Sequence, residues 1–200
     1  MEKQQRQLRD IFNQNQYDLK KAAYNSRVWF QQQANLLKRQ NPTPNKILGG
    51  DPSQNVTSVQ PGSMYMFLYD PKTKEDLPYY DLFPMVFPFK KTPDGFIGLN
   101  LHYIPYQQRV ILLQRLMDFA SNTKFDDTTR IKYSWALING VSRFKWAEPC
   151  IKRYLRSHVK SHLRKISPQD WTTALLLPVE QFVGSSKFKV WEDSQRSAWR

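Results

Sequence analysis

Residues 61–105 read PGSMYMFLYDPKTKEDLPYYDLFPMVFPFKKTPDGFIGLNLHYIP, and the order of apolar runs and breakers in this block decides the fold. Residues 64–69 are an apolar, aromatic run of strand length. Residues 70–78 (DPKTKEDLP) are polar and bounded by prolines, which makes them a loop. Residues 83–89 form a second strand, although Pro84 and Pro88 lack an N–H and confine it to an edge or a bulge. In residues 92–95 (TPDG) Pro93 presets φ and Gly95 supplies a positive φ, so a hairpin turn is expected there. Residues 96–103 make the third strand. Strand, long loop, strand, turn, strand is the order found in small SH3-like barrels, and a single sequence leaves closure open.

Outward from this block the pattern changes to helical periods. Pro105 opens a helix with Leu112, Leu116 and Phe119 on its buried stripe. Asp126 or Asp127 caps a second helix over about 128–140, with Ile131, Trp135 and Ile138 inward. Pro149 can start a further helix over roughly 149–158, residues 161–166 (SHLRKI) a short strand rejoining the sheet, and Ser167-Pro168 a helical turn or two up to Leu177. Toward the N-terminus, Leu8, Phe12, Leu19, Ala23, Phe30, Ala34 and Leu37 keep to one face at helical spacing. A long helix over residues 3–40 follows, either packed on its own domain or serving as an arm that docks on a neighbouring subunit. Residues 41–62 carry Pro42, Pro44 and Pro52 with a Gly49-Gly50 pair and read as a linker. The expected class is α+β: a small, twisted antiparallel sheet packed by several helices. The expected organisation is a helical arm over 1–40, a linker over 41–62 and a core domain over 63–200.

The chain has 200 residues, 40% of them hydrophobic and 14% aromatic, enough for one folded domain with a real core. No apolar run reaches the roughly 18 residues of a membrane span, and the polar first ten residues lack a secretory signal core, so no membrane partner is expected. Cys150 is the single cysteine, which rules out an intrachain disulfide and cysteine-rich zinc sites.

The formal net charge is +13, a balance that favours negatively charged partners. It is unevenly spread. Residues 143–165 hold eight Lys/Arg against one Asp/Glu, whereas residues 61–105 are slightly acidic. The basic residues are Arg143, Lys145, Lys152, Arg153, Arg156, Lys160, Arg164 and Lys165, with Phe144, Trp146 and Tyr154 interleaved. On a helix, Lys152 and Arg156 share a face. Such a face neutralises phosphates without reading bases, and the aromatics can stack on unpaired bases at a frayed end. Contact with an acidic protein, or plain solvation, are the other two readings of the same charges.

Catalytic constellations are weak by comparison. A metal-dependent nuclease needs carboxylates converging on a cation, and Asp70, Glu75, Asp76 and Asp81 fall in loops. His158 and His162 are four apart without a third ligand and among cations, so no metal site is expected. His102 is expected to hydrogen-bond within the fold, and Cys150 to be a buried thiol. No cofactor motif is present.

Three stretches carry a resemblance: Gly62-x-Met64-Tyr65-x-Phe67-x-Tyr69-Asp70-Pro71-Lys72, Leu77-Pro78-Tyr79-Tyr80-Asp81-x-Phe83-Pro84, and Gly95-Phe96-x-Gly98-Leu99-Asn100-Leu101-His102-Tyr103. Together with Pro149-Cys150-Ile151-Lys152-Arg153-Tyr154-Leu155, His158-Val159 and Leu175-Leu176-Leu177-Pro178, they resemble structural proteins of T-even-like contractile-tailed bacteriophages over roughly residues 61–182, most of all those that complete the head and protect DNA ends. The resemblance implies a minor virion component, made in the host cytoplasm, that sits on the ends of packaged DNA and shields them from host exonuclease. Sequence-independent contact with DNA phosphates or ends, contact with other virion proteins through the N-terminal helix, and oligomeric assembly belong to that expectation. A neck or baseplate subunit is the alternative, and a head-completion nuclease the weaker third.

Overall fold

The computed structural model describes residues 52–105, 124–168 and 179–198, together with 108, 109, 111, 112, 115, 116, 171 and 174. In chain order the strands are β1 (Asn55–Val56), β2 (Met64–Met66), β3 (Tyr80–Asp81), β4 (Met85–Thr92) and β5 (Gly95–Asn100), then the helix α1 (Asp127–Val141), β6 (Ile151–Leu155), β7 (Leu163–Ile166), β8 (Phe182–Val183) and the helix α2 (Lys187–Ala198). Six strands form one antiparallel sheet in the order β1-β7-β2-β4-β5-β6, and β3 pairs with β8.

The sheet curls because β4 and β5 are long and β4 is bulged. The register between β4 and β5 shifts between Pro88 and Lys90, where proline cannot donate to the ladder and a bulge adds local twist. Pro88 therefore sits in a central strand at a bulge, and its carbonyl accepts from Gly62 N–H at 2.9 Å. At the far edge, the chain after β6 turns back across the chain after β2. Tyr69 bridges Val159, Asp70 N–H donates to His158 O at 3.0 Å, and Lys160 N–H donates to Leu68 O at 2.8 Å. The strands β2, β4, β5 and β6 thus return upon themselves.

Inside this curl lie Tyr65, Phe67, Tyr69, Val86, Phe96, Tyr154 and Leu163, with Val59 at one end. Phe67 meets Tyr154 edge-on at 5.3 Å and Phe96 at 5.8 Å, the edge-to-face geometry that aromatic quadrupoles favour. Alternate residues of the same strands, Met64, Met66, Met85 and Phe87, are equally buried on the outer face. There Trp171 packs edge-on to Phe87 at 5.0 Å, and Trp135 of α1 donates from Nε1 to Phe89 O at 2.9 Å. Burial on both faces explains why residues 64–69 and 83–89 read as continuous apolar runs rather than as alternating ones.

Several expectations are corrected. Among the described residues the fold is mainly sheet: they form two α-helices, short 3-10 turns and a few helical residues between 108 and 116 and at 171 and 174, so the α+β class built on a small sheet packed by several helices does not hold. The long N-terminal helix over 3–40 lies outside the described residues. Residues 151–155 are strand β6, not part of a helix over 149–158; Tyr154 fills the interior and the backbone pairs with β5, from Gly95↔Leu155 to Leu99↔Ile151. The i, i+4 spacing of Lys152 and Arg156 mimicked a helical face, while apolar residues at 151, 154 and 155 answered to the sheet. Gly95 does not adopt a positive φ, which among the described glycines is found at Gly62 and Gly184. Gly95 is required for space: a Cβ there would lie 1.9 Å from Tyr154 O. Within residues 41–62, β1 pairs with β7 and Val59 enters the core.

Candidate nucleic-acid interface

The basic segment does not form one face, because the backbone distributes it. Lys152 and Arg153 lie on β6 beside a pocket lined by Tyr79, Tyr80, Tyr103, Asp81 and Asp94. Lys152 is half-buried with its ammonium 4.2 Å from the Tyr103 ring centroid, and burial lowers its pKa. Arg153 donates to Asp94 at 2.7 Å. Arg164 is buried on β7, paired across the ladders with Asn55 and Met66, and Lys165 beside it is half-buried. Arg143 and Lys145 are exposed after α1. Arg156 and Lys160 are exposed where the chain leaves β6.

Arg156 lies at a cavity of about 250 Å³ that opens at one end of the curled sheet. Its apolar lining comes from Val56, Val59, Phe96, Val159 and Leu163, and its polar lining includes Lys91, Arg156, His162, Thr57 and Ser58. Lys91 reaches it because Lys91 pairs with Phe96 across β4 and β5, and residues paired across a ladder share a face. Lys90, one residue earlier, pairs with Ile97 and faces the other way. Arg156 is held by its own N–H, which donates to Asp94 O at 2.9 Å, and Ser161 Oγ accepts from Leu68 N–H at 2.9 Å. Among the described residues no acid lines this cavity, and none pairs with Lys91, Arg156, Lys160 or His162. A shallower hollow lined by Val159, Lys160, Ser161 and His162 adjoins it.

Asp70, Asp81 and Asp94 are engaged elsewhere. Asp81 is buried; one oxygen lies 2.8 Å from His102 Nδ1 and accepts from Asn100 Nδ2 at 3.0 Å, and the other accepts from Phe83 N–H at 3.1 Å. Asn100 Nδ2 also donates to the Tyr154 hydroxyl at 3.0 Å. His102 therefore hydrogen-bonds within the fold. Asp70 pairs with Lys74 at 3.0 Å. Among the described residues no three His, Cys, Asp or Glu gather as metal ligands. Burial pushes the Cys150 thiol up to about 12, so it is a neutral thiol at pH 7 rather than a nucleophile. A second buried pair braces the C-terminal part: Arg109 donates to Glu180 at 2.7 Å, to Ile104 O at 2.6 Å and to His102 O at 3.0 Å. Trp191 of α2 donates to that same His102 carbonyl at 2.8 Å.

Of the eight expected cations, the structure thus brings Arg156 and Lys160 to the cavity end, sets Lys152 and Arg153 in the tyrosine pocket, and buries most of Arg164. Lys91 was missed: it lies in the acidic block, 65 positions before Arg156, and a charge count along the chain carries no signal for a cross-strand neighbour. His162, which by its spacing from His158 suggests at most a metal ligand, lines the cavity.

A small, mainly sheet protein with an acid-free cationic cavity at one end is the class that these features define. Residues 2–195 match the family described as phage T4 terminal DNA protecting protein, and the chain belongs to that family. It stands therefore among the virion proteins of bacteriophages, as a DNA end protector by family. No curated protein and no solved structure gives a match.

Proposed function

We propose that the chain acts without catalysis: it binds the ends of packaged duplex DNA through phosphate contacts and blocks host exonuclease by covering the terminus. Family membership over residues 2–195 carries this reading. The exposed cations at the cavity end support it, because Lys91, Arg156 and Lys160 face solvent without an acidic partner among the described residues. Each such cation placed on a phosphate releases counterions, which gives sequence-independent, salt-sensitive binding. The non-enzymatic reading is supported by Asp70, Asp94 and Asp81, which are engaged with Lys74, with Arg153, and with His102 and Asn100. No observation favours the neck or baseplate alternative. The site centres on Arg156 and Lys160, with Lys91 and His162 beside them.

The test is binding of the full chain to blunt linear duplex and to the same DNA as a closed circle, across a salt series. Tighter binding to the linear form is expected, with log–log salt slopes reduced by about 1 for each of Arg156→Gln and Lys160→Gln. Equal affinity for circle and linear duplex would remove end recognition, and no binding at low salt would remove DNA binding altogether.

A further inference from the structure

We propose that the cavity between β1, β4 and the turn after β6 is a socket for a terminal phosphate monoester, with the sugar of the last nucleotide resting on the apolar floor. The inference rests on the end-binding reading above and names the group recognised at the end.

Three observations lead to it. The first is size. About 250 Å³ is below the roughly 300–1,000 Å³ of drug-sized sites, and suits one sugar and one phosphate rather than a stretch of duplex. The second is the division of its lining. Val59 and Phe96 belong to the core and present apolar surface at the bottom, whereas Lys91, Arg156 and His162 stand around it with hydroxyls of Thr57 and Ser58. That division matches a sugar-phosphate, with a carbon-rich body and a charged head. The third is charge. With no acid lining the cavity among the described residues, its field is positive. A phosphate monoester carries about −1.5 to −2 near pH 7, against about −1 for each diester of the backbone, so the same cations discriminate an end from the interior.

The neighbouring hollow extends the idea. It shares Val159, Ser161 and His162 with the cavity and adds Lys160. A strand whose terminal phosphate sits among Lys91 and Arg156 can leave past Lys160, where the next diester meets a second cation. An interior phosphate is tethered on both sides and enters such a socket less readily than a group with one tether. End selectivity then follows from charge and connectivity, without any contact to a base edge.

The experiment compares one blunt duplex prepared with 5′-phosphate, with 3′-phosphate and with hydroxyl ends only, beside the closed circle, all bound to the full chain at one moderate salt concentration. At least one phosphorylated form is expected to bind about 10-fold tighter than the hydroxyl form, the scale of a charge-assisted contact. The form that gains identifies which strand end enters. Lys91→Gln combined with Arg156→Gln should erase that difference, and Lys90→Gln should preserve it, although it removes the same charge from the same strand. Far-ultraviolet circular dichroism and thermal melting establish that each variant is folded; His162→Gln alone, at an exposed side chain, provides a milder version. Equal binding of phosphorylated and hydroxyl ends, with both still preferred over the circle, would overturn the socket and leave end binding standing. A phosphate effect that Lys90→Gln abolishes as fully as Lys91→Gln would also overturn it. Loss of any preference for linear DNA would overturn both.

Discussion

Two concave regions flank the β5–β6 ladder, and each takes cations from the same basic stretch of chain. In the tyrosine pocket, Arg153 is paired with Asp94 and Lys152 rests over Tyr103 above the buried Asp81–His102–Asn100 network. At the cavity end, Lys91, Arg156 and Lys160 are exposed, no acid lines the cavity or its adjoining hollow, and none forms an ion pair with these cations among the described residues. The difference teaches that charge density along a sequence is a poor locator of an interface. What counts is which charges the fold has already satisfied. The tyrosine pocket uses its polar groups to hold the structure, and the cavity end keeps its own available.

Substitutions should therefore dissociate the two. The largest expected effect is on stability at the pocket: Asp81→Ala strands His102 and Asn100 and should cost about 3–5 kcal/mol, as for breaking a buried pair. Urea unfolding measures it, and the folded fraction should bind DNA as the parent does. Next is the cavity end. Arg156→Glu with Lys160→Glu should weaken binding to linear DNA by roughly 10- to 100-fold, or about 1.4–2.7 kcal/mol, with stability changed by less than about 0.5 kcal/mol. A third effect is pH dependence. Burial acts to raise the Glu180 carboxyl, yet Arg109, aided by His102 and Lys187, takes it below its usual 4.5. A depressed folded-state carboxylate stabilises above its unfolded value, and that contribution is lost as pH falls through the folded one. Melting temperature should thus drop below about pH 4.5, and Glu180→Gln should flatten that part of the profile. The smallest effect is expected from Arg153→Gln, which should change DNA affinity by less than about threefold, because an exposed ion pair already holds its charge.

The places of β2, β4 and β5 in residues 61–105 were legible, since apolar runs between proline-bounded loops leave few alternatives; the two-residue β3 was not, and residues 101–103 form a 3-10 turn rather than strand. The overall class was not legible. Residues 149–158 carry cations at helical spacing, and only pairing with β5 decides for strand, through tertiary contacts that override local pattern. Gly95 reads in sequence as a turn residue chosen for backbone freedom, and the structure needs it for the close passage of Tyr154 O. Arg156 and Lys160 were legible as cations; that Arg153, and neither of them, holds an ion pair was not, because Asp94 is far from Arg153 in sequence and adjacent in space. Lys91 is the clearest case. It stands beside Lys90 in a block that is slightly acidic overall, and its neighbours in the cavity arrive through the registers of β4, β5 and β6.

The most direct measurement of end protection is the fate of a linear duplex challenged with a processive exonuclease in the presence of saturating protein. The duplex should survive at full length with the parent chain and be degraded at the unprotected rate with the Arg156→Glu, Lys160→Glu variant. Degradation at the same rate with and without the parent chain, under conditions where it is bound, would contradict the account.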